Sequence, residues 1–495
     1  MMTEQPNYYA ILGVDKHASL EEIHEAFATW RIKLKEAEQL ESTQYQQIAY
    51  AYEVLSDSDR RTLYDSLLQE TSAESVLEVH ALLSRSKIGV LDTPQVVYLL
   101  VNVHPPQQAE DARLPLNLCL VLDRSTSMNG ERLERVKTAV EMVLDKLGPE
   151  DVISVVSFSD RAEVLLPAGR VHNKVRLLSR VKSMLASGGT EIYQGLKTGV
   201  EEMRQVSLSQ HINHLILLTD GHTYGDEALC VQLAKETAVQ GIGITAFGIG
   251  LEWNDKFLDR LVAPSSGQSG YIDDPMQIIE YLEKRIKGLG AVYAQNVQFH
   301  LNFPNAVYMR YGFKMTPYAQ PIDKEKEYVK LGDIEGRRPL SFLLELSIDP
   351  QPIQTRIKLP VHLTAVIPGK KLQKYTFKQD LQLMVLKTPL QEEPPEAVLR
   401  AVRMLNMYRM NEKVWEDVEA GNVEMATTRM RHLTTRFLEA GQTQLARQAQ
   451  MEVDRLANVG DLSLEGRKTL KFGTRALLNQ TMSLLLNGDE AGEHD

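Results

Sequence analysis

Only two cysteines occur in 495 residues, Cys119 inside an apolar run and Cys230 in a helical stretch. No disulfide framework can therefore staple the chain, and both side chains read as reduced, packed thiols suited to a reducing compartment. Long hydrophobic runs are also missing. Stretches such as Leu215–Leu218 fall far short of the roughly 20 residues a membrane-spanning helix needs. The amino terminus, MMTEQPNYYAILGV, has no basic region followed by an apolar stretch of secretory-signal length. Positive charge is in deficit, with 55 Lys+Arg against 66 Asp+Glu and a net charge of −11. That balance argues against general binding to nucleic acid or anionic membranes, which need basic surfaces. The phosphate-cradling P-loop and G-x-G-x-x-G patterns are absent too, so nucleotide binding is not indicated. These absences describe a cytoplasmic protein without direct membrane insertion; lipidation or indirect attachment stays open.

What the chain does have is enough length for three or four domains, and the ordinary globular mixture of 43% apolar and 24% charged residues. One stretch stands out, Leu118–Gly130, reading LCLVLDRSTSMNG. An apolar run of buried-strand character ends in Asp123, Ser125 and Ser127, and an amphipathic helix follows. A carboxylate and two hydroxyls spaced by single residues at a strand's carboxyl end form a hard-oxygen pocket suited to Mg²⁺. Asp and Ser are equally ordinary turn and cap residues, so the motif needs partners elsewhere. SGGTEIYQGL supplies Thr190 on a Gly-Gly loop before a helix, and LILLTDGH supplies Asp220 at the end of another strand. If both strands are central in one parallel sheet, Asp123, Ser125, Ser127, Thr190 and Asp220 converge on one rim.

Taken in order, residues 1–70 read as a compact helical module. Ser19 can cap a helix beginning LEEIHEAF, with Glu22 at the capping-box position. A helix to about Lys35, a polar break and a second helix over Tyr45–Leu55 follow. Residues 74–113 turn to Val- and Leu-rich strands, and residues 289–388 share that character in six or more segments separated by Pro, Gly and Asp turns. Too few strands precede Leu114 to make a domain. The two pieces are therefore expected to share one antiparallel sandwich, with residues 114–288 inserted between them. Within the insertion, LNLCLVL, VISVVSF, HLILLTD and GITAFGIG alternate with helices over Glu131–Leu147, Asn173–Leu185, Ile192–Val206, Asp226–Val239 and Asp255–Val262. That alternation calls for a mostly parallel sheet covered on both faces. Residues 389–485 are helical again, started by Pro395 and divided by Gly421, Gly441 and Gly460 at C-cap positions. The acidic tail 486–495 is expected to be disordered.

Two resemblances follow from these residues. YYAILGV, EEIHEAF, AYEVLSD and RRTLYD resemble a J-domain, the module that stimulates heat-shock chaperone ATPases. Where that family carries His-Pro-Asp, this chain has Lys35, Glu36 and Ala37. Residues 1–70 also hold 6 Lys/Arg and 13 Asp/Glu, a net of −7, which opposes docking on an acidic chaperone surface. A J-like scaffold without ATPase stimulation is the expectation. The set DRSTS, GGT and TDG, with Thr126 where many members have glycine, resembles the metal-ion-dependent adhesion site of von Willebrand factor type A domains. The flanking strands, the segment LGDIEGR–PLSFLLEL and the helical array resemble bacterial proteins with a central type A domain. The resemblance implies that Ser125, Ser127 and Thr190 bind Mg²⁺ (Mn²⁺ or Ca²⁺ being alternatives) directly. It implies that Asp123 and Asp220 act mostly through water, leaving a position for a partner's carboxylate. An ion held mainly by neutral hydroxyls keeps most of its charge, and a unit pair at ~4 Å is worth about 4 kcal/mol at an effective dielectric of 20.

The expected architecture is thus multidomain α/β, with a Rossmann-like type A domain inserted in a β-sandwich and helical domains at both ends. The expected function is non-enzymatic scaffolding, with an AAA+ ATPase or a chaperone system as candidate partner. An active J-domain co-chaperone is the alternative. A hydrolase using Asp123, Ser125 and His222 is a distant third, because no G-x-S-x-G elbow exists. His211 and His214, without a Glu or Cys at useful spacing, read as structural or surface residues. Asp160 and Glu163 stay outside the site.

Overall fold

A computed structural model describes residues 8–14, 18–36, 43–57, 60–61, 76–106, 114–172, 174–223, 225–322, 327–370, 372–388 and 392–487. The chain divides into two units, Met1–Val76 and Leu77–Asp495. In the first unit, helices α1 (Tyr8–Leu12), α2 (Leu20–Glu36) and α3 (Thr43–Leu55) bury Leu12, Ile23, Ile48, Ala51 and Leu55 in a small core. The capping box at the start of α2 forms in both directions. The Ser19 N–H donates to Glu22 at 2.6 Å, and the Glu22 N–H donates to the Ser19 hydroxyl at 3.2 Å. Lys35 and Glu36 are the last residues of α2; Ala37 lies outside the described residues, as do 62–70 and the acidic tail from 488.

The second unit holds a sandwich of two five-stranded sheets built from both pieces of the chain. Strands β1 (Glu78–Leu83), β2 (Lys87–Gly89) and β3 (Gln95–His104) precede the insertion. After it come β10 (Val292–His300), β11 (Val307–Thr316), β12 (Gln320–Pro321), β13 (Tyr328–Glu335), β14 (Leu340–Ile348), β15 (Arg356–Ile367) and β16 (Leu372–Leu386). The sheets run β1-β3-β14-β11-β12 and β13-β10-β15-β16-β2. The early strands serve both sheets: β3 pairs antiparallel with β14, while β2 pairs parallel with β16.

The insertion carries a six-stranded sheet from β4 (Leu116–Asp123), β5 (Val152–Phe158), β6 (Ala162–Arg170), β7 (Ile212–Thr219), β8 (Ile242–Ile249) and β9 (Gln268–Ile272), in the order β6-β5-β4-β7-β8-β9. All pairs are parallel except β5–β6. The edge strands β6 and β9 escape the periodicity reading. Helices α4 (Glu131–Lys146), α5 (Lys174–Lys182), α6 (Ile192–Met203), α7 (Glu227–Val239), α8 (Asp255–Val262) and α9 (Gln277–Leu289) cover it. Every residue of β4, β5 and β7 is buried, as strands covered on both faces must be. Gly195 on α6 has no room for a side chain, since a Cβ there would stand 2.6 Å from the Phe158 ring. That closeness brings the start of α6 down onto the sheet rim.

Four helices close the chain: α10 (Glu396–Glu419), α11 (Val423–Glu439), α12 (Thr443–Val459) and α13 (Leu464–Asn487). Pro395 stands at the N-cap of the first, and Gly421, Gly441 and Gly460 follow the ends of the first three with left-handed backbone. Among the described residues, no helix is long and apolar enough to cross a membrane. The last helix is bound to the insertion by buried charge. Lys471 lies 2.6 Å from Asp255 and 2.7 Å from Asp259, and Arg475 lies 2.8 Å from Asp259. Burial raises both carboxyls, but Lys471 together with Arg467 or Arg475 outweighs it, so both titrate below the ordinary aspartate range.

Removing one member of a buried charge group strands the others. Asp259→Ala should therefore cost about 3 kcal/mol, read as a lower denaturant midpoint. Because the folded pKa values are depressed, this contribution is complete above an unfolded aspartate's pKa of about 3.9 and is lost as pH falls below it. A wild-type acid-denaturation midpoint equal to that of the variant would contradict this account.

Candidate metal centre

In the sheet order, β4 is the strand from which the chain first moves outward to β5 and later returns to place β7 on its other side. The crevice at the carboxyl ends of β4 and β7 is thus the switch point where such sheets bind ligands. Asp123 is the last residue of β4, and Asp220 directly follows β7. Both are fully buried. The chain then turns through Ser125 and a single 3-10 turn, Thr126–Met128, into α4.

The five oxygen-bearing residues lie together. The Ser125 N–H donates to Asp123 Oδ1 at 2.8 Å, and the Ser125 and Ser127 hydroxyls are 3.0 Å apart. Ser127 Oγ donates to Asp220 Oδ1 at 2.7 Å. Thr190 packs against the residue after Asp220, its Oγ1 lying 3.0 Å from where a Cβ on Gly221 would stand. Among the described residues its hydroxyl makes no hydrogen bond. Ser127 opens to solvent, whereas Ser125 and Thr190 are buried.

Four neighbours outside the five-residue set hold it in place, among them Asp160 and Thr126, which the sequence reading names but gives no such role. Thr219 donates its hydroxyl to Asp123 Oδ2 at 2.6 Å. Asp160 accepts the Gly189 N–H at 2.8 Å and so braces the Gly-Gly loop that carries Thr190. Thr126, the departure from the glycine of many type A domains, donates its hydroxyl to the Gly188 carbonyl at 3.0 Å, tying the serine loop to the threonine loop. Arg132, the second residue of α4, donates to Asp220 Oδ2 at 2.6 Å and is one-third exposed. Only Thr219 was within reach of sequence reading, as the hydroxyl just before Asp220; the others act through chain separations of 29 to 88 residues.

Burial pushes the Asp123 carboxyl up to about 6, with Asp220 nearby adding to the rise and the Thr219 and Ser125 bonds opposing it. Among the described residues, no three His, Cys, Asp or Glu side chains converge as a metal cluster. Any cation here must rely on hydroxyls, and three hydroxyls with two carboxylates fit a hard ion such as Mg²⁺ rather than a soft one. The remaining candidates lie elsewhere. His214 is buried under the sheet with Thr245 Oγ1 at 2.9 Å, His211 bonds the Ser207 carbonyl, and His222 is exposed. Ser125 Oγ has Ser127, not a histidine, as its hydrogen-bond partner. Both cysteines are free and buried.

Residues 117–284 match the family model of the von Willebrand factor type A domain. That stretch is a type A domain. Residues 7–65 match the DnaJ domain, so the first unit holds a DnaJ-family module. Residues 396–480 match the Sll0103-like, C-terminal alpha-helical domain. The protein sll0103 of Synechocystis sp. is 27% identical over 389 residues, covering 77% of this chain and 92% of that one. A solved von Willebrand factor type A structure from Catenulispora acidiphila superposes with a TM-score of 0.66 at 17% identity, over 81% of this chain and 97% of that one. The ArnB paralog VWA2 from Sulfolobus acidocaldarius gives 0.56 at 17% identity, over 82% and 98%. These two likenesses concern the fold alone. They extend beyond the type A domain, whose 168 residues are about a third of the chain.

Thr219→Val removes a hydroxyl that favours the charged form of Asp123, so the carboxyl should titrate above 6 in the variant. Carbon-detected NMR of the Asp123 carboxyl measures this, and an unchanged or lower value would contradict the assigned hydrogen bond.

Proposed function

We propose that this chain is a non-enzymatic interaction scaffold whose type A domain holds a divalent ion, Mg²⁺ in the cell, and through it a carboxylate of a protein partner. Ser125, Ser127 and Thr190 would hold the ion directly, with Asp123 and Asp220 acting through water. The observation that supports this reading is the run of hydrogen bonds from Asp123 through Ser125 and Ser127 to Asp220 at the switch point between β4 and β7, with Thr190 beside Gly221. When bound, the ion supplies an electrophilic point with little of its charge quenched, because three of its protein ligands are neutral. The chain's own residues do the rest. Thr219 and the Ser125 N–H orient Asp123, Asp160 and Thr126 hold the threonine loop, and Arg132 neutralises Asp220 in the absence of an ion.

The DnaJ-family module lacks the residues with which its relatives act on a chaperone ATPase, so we assign it a docking role. An AAA+ ATPase or a chaperone system remains the candidate partner class. Stimulation of a heat-shock ATPase by the full chain would favour the co-chaperone reading instead.

Asp123→Ala should abolish Mg²⁺-dependent partner capture while leaving the circular dichroism spectrum unchanged. Capture that proceeds equally well in EDTA would sink the metal bridge. Arg132 competes with an incoming cation for Asp220, so Arg132→Ala should tighten Mn²⁺ binding in titration calorimetry by about tenfold, equivalent to about 1.4 kcal/mol. Weaker binding in that variant would mean that Arg132 assists the ion rather than displacing it.

A further inference from the structure

The C-terminal helical domain carries a groove between α10 and α11 of about 1080 Å³. Its walls are cationic: Arg400, Arg403, Arg409 and Lys413 from α10, Arg429 and Arg436 from α11. Its floor includes Met404, Met407 and Met410. The lining positions recur at helical spacing, Arg403, Met407 and Met410 on one helix and Arg429, His432 and Arg436 on the other, so each helix turns one face to the groove. From Arg400 to Lys413 the groove runs about 20 Å, the length of a helix of three to four turns.

Its charge runs against the rest of the molecule. In a chain of net charge −11, Glu439 is the one acid in the lining among the described residues, and it pairs with Arg436 at 2.8 Å. Arg400, Arg409 and Arg429 are paired with Glu396, Glu345 and Asp417. Among the described residues, no acid lies within ion-pair distance of Arg403 or Lys413, both exposed. These two stand ten residues apart on α10, about 15 Å along its axis.

We propose that this groove docks an acidic amphipathic helix of a partner protein, with two carboxylates about ten residues apart and an apolar stripe between them. Unbranched methionines adapt to an apolar helix face, and a cleft between two helices receives a third helix by the helix-in-groove mode. Nucleic acid fits poorly. Among the described residues the lining has no Phe, Tyr or Trp ring for a base to stack on, and its apolar part is methionine. The pairing is independent of the metal centre, since none of its residues belongs to the type A domain.

The test is fluorescence anisotropy on the full chain with a labelled 18-residue helical peptide, carrying Glu at both ends of a Leu stripe with ten-residue spacing. Saturable binding that weakens with added salt is expected, unchanged by EDTA or by Asp123→Ala. The double variant R403E/K413E should lose about tenfold or more in affinity with an unaltered thermal midpoint. Met410→Glu should weaken binding as well by placing charge on the floor. No saturable binding, equal binding by R403E/K413E, or tighter binding of a single-stranded oligonucleotide at the same residues would each overturn the proposal.

Discussion

The pairing of β3 with β14 joins residues 95–104 to residues 340–348 across the whole insertion. Nine consecutive residue pairs run from Gln95↔Ile348 to Val103↔Leu340, and their apolar side chains, among them Val97, Leu99, Val101, Phe342, Leu344 and Leu346, are fully buried. Neither piece of the sandwich can cover its own apolar face without the other. Closing so long a loop costs entropy that grows only slowly with length, so the 235 residues between His104 and Leu340 are tolerable once the pairing forms. The pairing also anchors both ends of the type A domain to one rigid body. A domain held at both ends can pass load to its support, which suits a scaffold.

A second bond between modules is electrostatic. Lys468 lies 3.8 Å over the Trp253 ring and donates to the Trp253 carbonyl at 2.7 Å, while the indole N–H donates to the Gly250 carbonyl. Burial lowers the Lys468 ammonium to about 8, with Asp255 opposing the shift. Together with Asp255, Asp259, Lys471 and Arg475 this clamps α13 beside the loop that follows β8. Charges so largely withdrawn from water stabilise little over an apolar contact of similar volume, but they tolerate few other arrangements. They define where the helical domain sits on the type A domain.

Much of this organisation was legible in local patterns. The capping box of Ser19 and Glu22, the glycine-punctuated C-terminal helices and the four buried parallel strands each rest on short-range chemistry. The edge strands were not legible. In β6, AEVLLPAGR carries a proline and a glycine, and QSGYI in β9 has neither length nor alternation, so both take strand form from the neighbour they pair with. Helix α9, whose residues fall at the end of the insertion, was likewise missed despite its buried Ile278, Leu282 and Ile286.

The sequence by itself determined which residues carry hard oxygen donors and where each stands relative to its own strand. Asp123, Ser125, Ser127, Thr190 and Asp220 are placed by strand ends and loop starts, features encoded within a few residues. Only the tertiary structure decided what surrounds them. Arg132 on Asp220, Thr219 on Asp123, Asp160 and Thr126 on the Gly188–Gly189 loop, and the cationic groove between α10 and α11 all depend on distance between segments far apart in the chain. Short-range propensity carries no information about such distances. They follow from strand order and helix packing, which is why the place of each oxygen on its own strand or loop could be read in advance and its electrostatic setting could not.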